Sequence, residues 1–382
     1  MAIWIRAPFA LFAALSISSF ACSSTPTEGT PTPPTPASDA GVADAPTEAG
    51  CPKGTRADGA RCTANTLGEF TRSSVELSLP RDHHTTHVFT VGGVPYLYVL
   101  GGTVGWKEIY SDVWRAKIRP DGEIDAFEEA GTLPEKVAGH IVVRVGDTLV
   151  LAGGTNGASV TSATYATKLG PDGRLGDWTK GPALPVGVMH GHAVAHGGYA
   201  YFVGGRGAKT GKSVANVARV RVSQDGILGP MEPLADLAAD RSHGQAFVHG
   251  DYMYVFGGLR GDPAGEHEAL DDVLRAKLGG PSLTWEVAGK LPAARSITAA
   301  EVVGDDVFVL GGLEGKTSFR ADAWHGVFDA GGKLTFAPVQ ARLPFSRGHV
   351  HQTPYHDGRI YSVGGKNAAD RSFGTVDIAR FD

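Results

Sequence analysis

The chain has 382 residues, and 35 Lys and Arg against 40 Asp and Glu leave a net charge of −5. That balance excludes a nucleic-acid binder built on a clustered basic face. Glycine stands out at 53 residues, about twice ordinary usage, without a Gly-X-Y period, so a collagen-like chain is excluded as well.

Arg6 is the only charge of a short N-terminal region, and an almost wholly apolar run, Ala7 to Ala21, follows it. This is shorter than the roughly 20 residues a membrane-spanning helix needs, and it reads as an export signal over residues 1–21. The junction Ser19-Phe20-Ala21-Cys22 resembles a bacterial lipobox, with Ser19 where leucine is usual, and so points to lipidation at Cys22. Ser19-x-Ala21 also suits ordinary signal cleavage and free secretion. Residues 22–50 are rich in Pro, Thr, Ala and Ser, a composition that stays disordered and extended and reads as a tether. Residues 51–65 hold Cys51 and Cys62, an expected disulfide in an oxidising compartment. The loop-closure model gives so short a loop on the order of 3 kcal/mol; a metal site is the alternative. The expected location is the cell envelope, with membrane contact only through the lipid.

From residue 66 onward one unit recurs. An apolar run ends in a double glycine at Gly101-Gly102, Gly153-Gly154, Gly204-Gly205, Gly257-Gly258, Gly311-Gly312 and Gly364-Gly365. Subtracting successive second glycines gives spacings of 52, 51, 53, 54 and 53 residues. Each unit opens on a loop such as Leu133-Pro134, continues as a strand, a tight turn and the apolar strand, and then adds a third strand. Asp121-Gly122, Asp172-Gly173 and Asp225-Gly226 suit the hairpin turn to a fourth. Four antiparallel strands in about 50 residues predict a propeller blade, and hence an all-β, six-bladed β-propeller over 66–382.

The apolar run before a double glycine, with an aromatic about 20 residues later, resembles the kelch repeat. The resemblance covers residues 66–382. The later aromatic is tryptophan only at Trp178 and Trp285, with Phe127, Met231 and Phe336 elsewhere. The C-terminal stretch Asp377–Asp382 aligns with a third strand, and Leu67-Gly68-Glu69-Phe70 matches Leu175-Gly176-Asp177-Trp178. The N-terminal segment is therefore expected to close the ring. Galactose-oxidase-like chemistry, which shares this architecture, requires a Cys–Tyr cross-link, and no cysteine follows residue 62. Sugar mutarotases built on kelch propellers remain a fold-level analogy.

In kelch-like propellers the loop before the first strand opens at the central channel. The residues there are Arg81, His83 and His87; His140; His190 and His192; Arg241 and His243; Arg295; and Arg347, His349 and His351. Three readings stand. The side chains satisfy loop carbonyls, or they hold an anion or glycan through guanidinium forks, or imidazoles such as His83, His87, His349 and His351 hold a metal. His190-x-His192 and His349-x-His351 would each place two imidazoles on one strand face. Trp106 sits in an expected exposed loop, where a ring can stack on a sugar or anchor a partner. Gly207–Ser213 mimics a phosphate-binding loop but leads into a strand-like run rather than a helix, and no cofactor is expected. The favoured reading is a tethered, non-catalytic, monomeric module that binds a glycan or protein through its loop-rich top face. A carbohydrate epimerase or mutarotase and a His-ring metal protein are the alternatives.

Overall fold

A computed structural model describes residues 50–382, and every helix or strand among them is a β-strand. The export signal, Cys22 and the tether up to residue 49 lie outside the described residues.

The apolar runs before the double glycines form the second strand of successive four-stranded antiparallel meanders. The first meander comprises Thr85–Val91, Val94–Leu100, Asp112–Lys117 and Glu128–Thr132. The same order recurs over residues 141–180, 192–233, 245–290 and 299–342. The last meander takes Tyr355–His356, Arg359–Val363 and Val376–Arg380 from the C-terminus and Thr71–Arg72 from the N-terminus. The N-terminal segment thus completes the last sheet, as its sequence match to the fourth strand implies.

A hydrophobic cluster lies at each contact between consecutive meanders. Leu100 and Val113 of the first meet Leu149 and Leu151 of the second, and Tyr254 and Phe256 of the fourth meet Val307 and Val309 of the fifth. Tyr361 and Val363 of the last meet Leu97 and Val99 of the first, so the last meander packs against the first.

The double glycines tie consecutive meanders together through backbone hydrogen bonds. In each pair the second amide donates to a carbonyl two residues before the next meander's axial turn: Gly102 to Val137, Gly154 to Val188, Gly205 to Arg241, Gly258 to Arg295, Gly312 to Arg347 and Gly365 to Arg81, all at 2.7–2.9 Å. A Cβ on Gly204 would lie 2.3 Å from the Arg241 carbonyl oxygen, and Gly204 has φ +58. Close approach and a left-handed backbone together require glycine there.

Two features differ from six separate sheets with a preceding loop. The fourth and fifth meanders join into one eight-stranded sheet through parallel pairing of Gly289 with Leu334 and Lys290 with Thr335. Gly289 permits it, because a Cβ there would sit 2.3 Å from the Leu334 carbonyl oxygen. Residues 51–65 are not a loop ahead of the fold. They form a hairpin, Thr55–Asp58 with Arg61–Ala64, closed by the Cys51–Cys62 disulfide. The Cys62 and Ala64 amides each donate to a carboxylate, Asp305 and Asp306, at 2.7 Å. The acidic turn thereby satisfies edge amides that would otherwise face solvent or pair with another chain.

Candidate functional site at the axis

The arginines proposed as ligand-binding turn inward. Arg81, Arg241, Arg295 and Arg347 are at most 2 % exposed. Each donates to the carbonyl of the first glycine of its own meander's pair, Gly101, Gly257, Gly311 and Gly364. Each also grips a carboxylate: Asp112, Asp272, Asp322 and Asp377. In the second and third meanders valines (Val137, Val188) replace the arginine. There the strand position of Asp112 and Asp272 is held by Ala163 and Asn216, so cation and acid are absent together. These four guanidinium groups are engaged in buried ion pairs, and among the described residues they line neither of the two cavities at the axis.

Two residues beyond each of these positions the chain turns at the axis. His83, Gly139, His190, His243, Ile297 and His349 all adopt left-handed φ values between 49 and 61. Their amides form a closed circuit. Gly139 donates to His83, His190 to Gly139, His243 to His190, Ile297 to His243, His349 to Ile297 and His83 to His349, at 2.8–3.3 Å. Five of the six carry side chains in a conformation that costs on the order of 1–3 kcal/mol per residue, and the circuit holds them there. Four of those side chains are imidazoles, and they converge. Ring centroids are 3.9 Å apart for His83 and His349, 5.0 Å for His83 and His190, and 4.0 Å for His190 and His243. Burial, reinforced by neighbouring imidazoles, holds all four well below the usual histidine range.

The turn separates histidines that the sequence pattern paired. His190 and His349 sit in the left-handed turn, whereas His192 begins the strand beyond it and His351 lies between the turn and the strand Tyr355–His356. The period-two rule therefore does not apply, and the two members of each pair face different cavities. One is a depression of about 250 Å³ lined by His83, His190, His243, His349, Trp106 and Lys366 among others. Trp106 is 40 % exposed, as its loop position implies, and its ring lies 4.4 Å from that of His83. The other is an axial channel of about 270 Å³, whose wall includes His87, His140, His192, Gln245, Glu301 and His351. The two cavities share no lining residue. The metal set His83, His87, His349 and His351 is split between them accordingly.

The channel is polar at the end next to the turn. His87 Nε2, His140 Nδ1, His192 Nε2, His351 Nε2 and Thr86 Oγ1 are buried, with no hydrogen-bond partner among the described residues. Burial pushes His140 and His192 down to about 3, and His87 and His351 down to about 4, so all four are neutral at pH 7. Glu301 lines the wall farther along. Surrounding protein desolvates its carboxyl, which rises to about 8, although the Tyr355 amide hydrogen bond opposes the shift. Sequence reasoning missed Glu301. Its signal was a carboxylate in a first strand where the second, third and fourth meanders carry Val143, Val194 and Phe247 and the first carries His87, each opposite the same position of the second strand.

No known protein family matches the chain, and no curated protein matches it. Among 473 matching chains of solved structures is the structure of YjhT. It is similar at a TM-score of 0.60 and 14% identity, over 79% of this chain and 95% of that one. So distant a likeness, shared so widely, shows the fold alone: the chain has an all-β, propeller-like architecture.

Proposed function

We propose that this chain is an exported, lipid-tethered, monomeric six-bladed propeller of kelch type, and that it binds a neutral, hydroxyl-rich ligand of the glycan class in its axial channel without turnover. The six amide links around the axis and the six double-glycine links support the blade count. The N-terminal signal, the lipobox-like junction at Cys22 and the proline-rich tether support the location.

The observation that carries the binding reading is the set of buried, partnerless polar atoms belonging to residues that line the channel. Leaving such an atom buried and unmade costs about 1–3 kcal/mol. Neutral imidazoles each offer one donor and one acceptor, and a hydroxyl group, itself both donor and acceptor, can pair with either nitrogen. The channel volume lies near the lower end of small-molecule sites, which suits one or two sugar residues. Titration calorimetry with neutral mono- and disaccharides tests this. Saturable binding weakened at least tenfold by His192→Phe or His351→Phe is expected. A full panel without binding, or binding untouched by either variant, overturns it.

Glu301 favours a second reading, a carbohydrate-modifying enzyme. A carboxyl poised near pH 8 in a binding channel is suited to general acid–base work. Glu301→Gln separates the two readings. A binding module keeps its affinity, whereas an enzyme keeps substrate binding and loses sugar turnover.

A further inference from the structure

The histidine cluster on the other side of the axial turn has a different chemistry from the channel. One ring nitrogen from each of His83, His190 and His349 lies within 4.8 Å of the other two, and this trio is the metal-competent group among the described residues. A point equidistant from three atoms at that limit is about 2.8 Å from each, so shifts under about 1 Å would reach the roughly 2.1 Å of a metal–imidazole bond. The three side chains come from the first, third and last meanders, and each is held in the strained turn conformation by the amide circuit.

Two further observations point to an ion. His83 Nδ1 contacts a carboxylate oxygen of Asp82, which is itself fully buried and receives the Ser372 hydroxyl on its other oxygen. A carboxylate on one imidazole nitrogen fixes the tautomer and leaves Nε2 free as a ligand atom, the usual support behind a metal-bound histidine. His190, 3 % exposed, and His349 each have an Nδ1 with no partner among the described residues.

We infer that His83, His190 and His349 form a site for a borderline divalent transition-metal ion, zinc or copper, with a fourth position open to the depression beneath Trp106. Three neutral imidazoles suit these ions better than calcium or magnesium, which take oxygen ligands. Lys366 and Arg206 line the same depression, held by Asp370 at 2.5 Å and the Gly211 carbonyl at 2.7 Å. Their charge favours an anion, hydroxide or carboxylate, at the open position. His243 stacks on His190 but stands outside the trio, and its Nδ1 meets the Ser242 hydroxyl at 2.8 Å.

The test uses untagged full chain with zinc chloride and, separately, copper sulfate, read by elemental analysis after desalting and by calorimetry. One ion per chain is expected. His349→Gly and His190→Gly should each weaken it at least tenfold, and His243→Gly should change it less than threefold. Glycine is the chosen replacement because Gly139 occupies the same turn position naturally. Copper EPR on the unsubstituted chain is expected to show hyperfine structure from three nitrogens, whether or not the variants fold. Substoichiometric uptake of both ions, equal affinity in the trio variants, or fewer than three coordinated nitrogens overturns the inference. Sugar binding in the channel is a separate measurement, so either reading can fail alone.

Discussion

The imidazoles of His83 and His349 lie with ring centroids 3.9 Å apart, and the amide of His83 donates to the carbonyl of His349 at 3.3 Å. The first and last meanders therefore meet on the axis through a ring contact and a backbone bond at once. The same two ends of the fold meet again at the rim, where Tyr361 of the last meander donates to the Gly122 carbonyl of the first at 3.0 Å.

Closure predicts that the N-terminal strand is needed for stability. Leu67, Phe70 and Leu77 are buried, and the amides of Gly68 and Ser73 donate to Arg380 and Val376. Burying three such side chains contributes about 1.5–3 kcal/mol each. A chain beginning at residue 79 is expected to melt about 10 °C lower or more by scanning calorimetry. An unchanged melting temperature would contradict closure.

Arg347 and Asp377 form a fully buried ion pair at 2.5 Å. Removing one partner strands a charge, so Asp377→Ala is expected to cost about 3–5 kcal/mol in urea unfolding. Replacing both residues by apolar ones of similar volume should recover much of that loss. Equal destabilisation by the single and the double change would refute this account.

Glu301 predicts a stability that falls with rising pH. Its carboxyl holds its proton to about pH 8 in the fold and to about 4.3 in the unfolded chain. Between those values the folded state binds more protons, so stability declines from about pH 4.5 to pH 8 and then levels off. Glu301→Gln removes that slope. The variant should match the unsubstituted chain near pH 4.5 and exceed it at pH 8.5, as measured by melting temperature.

His87 and His140 act in the opposite direction. Their folded values, about 4 and about 3, lie below the unfolded value of about 6.5. Their neutral forms impose no penalty above pH 6.5, and stability is lost as pH falls below it, by on the order of 1 kcal/mol per pH unit for each histidine. Urea unfolding at pH 7 and pH 5 should therefore differ more for the unsubstituted chain than for His140→Gln. Equal differences would remove His140 from the account.

The repeat made most of the fold legible. Double glycines at nearly constant spacing marked the second strands, and the match of Leu67–Phe70 to Leu175–Trp178 marked the closing segment. Trp178 and Trp285, the tryptophans of the repeat's later aromatic position, lie at contacts between meanders, and their indole N–H groups donate to the carbonyls of Thr132 and Ala235. The site was legible only as a neighbourhood. Arginine and histidine fall within the same few positions of the repeat, and sequence cannot tell which of them turn inward. That depends on Asp112, Asp272, Asp322 and Asp377, which lie in the third strand of the same unit. The division of the histidines depends on a backbone turn that no residue type announces, because histidine, glycine and isoleucine all occupy it.

That shared turn has one more consequence. Because its geometry is set by amides and carbonyls rather than by side chains, the letter at each of the six positions can change while the circuit persists, as Gly139 and Ile297 already demonstrate. The axis is in effect a six-character display mounted on an invariant frame. A change of one character alters the chemistry presented at the centre, while histidine, glycine and isoleucine all fit the same frame.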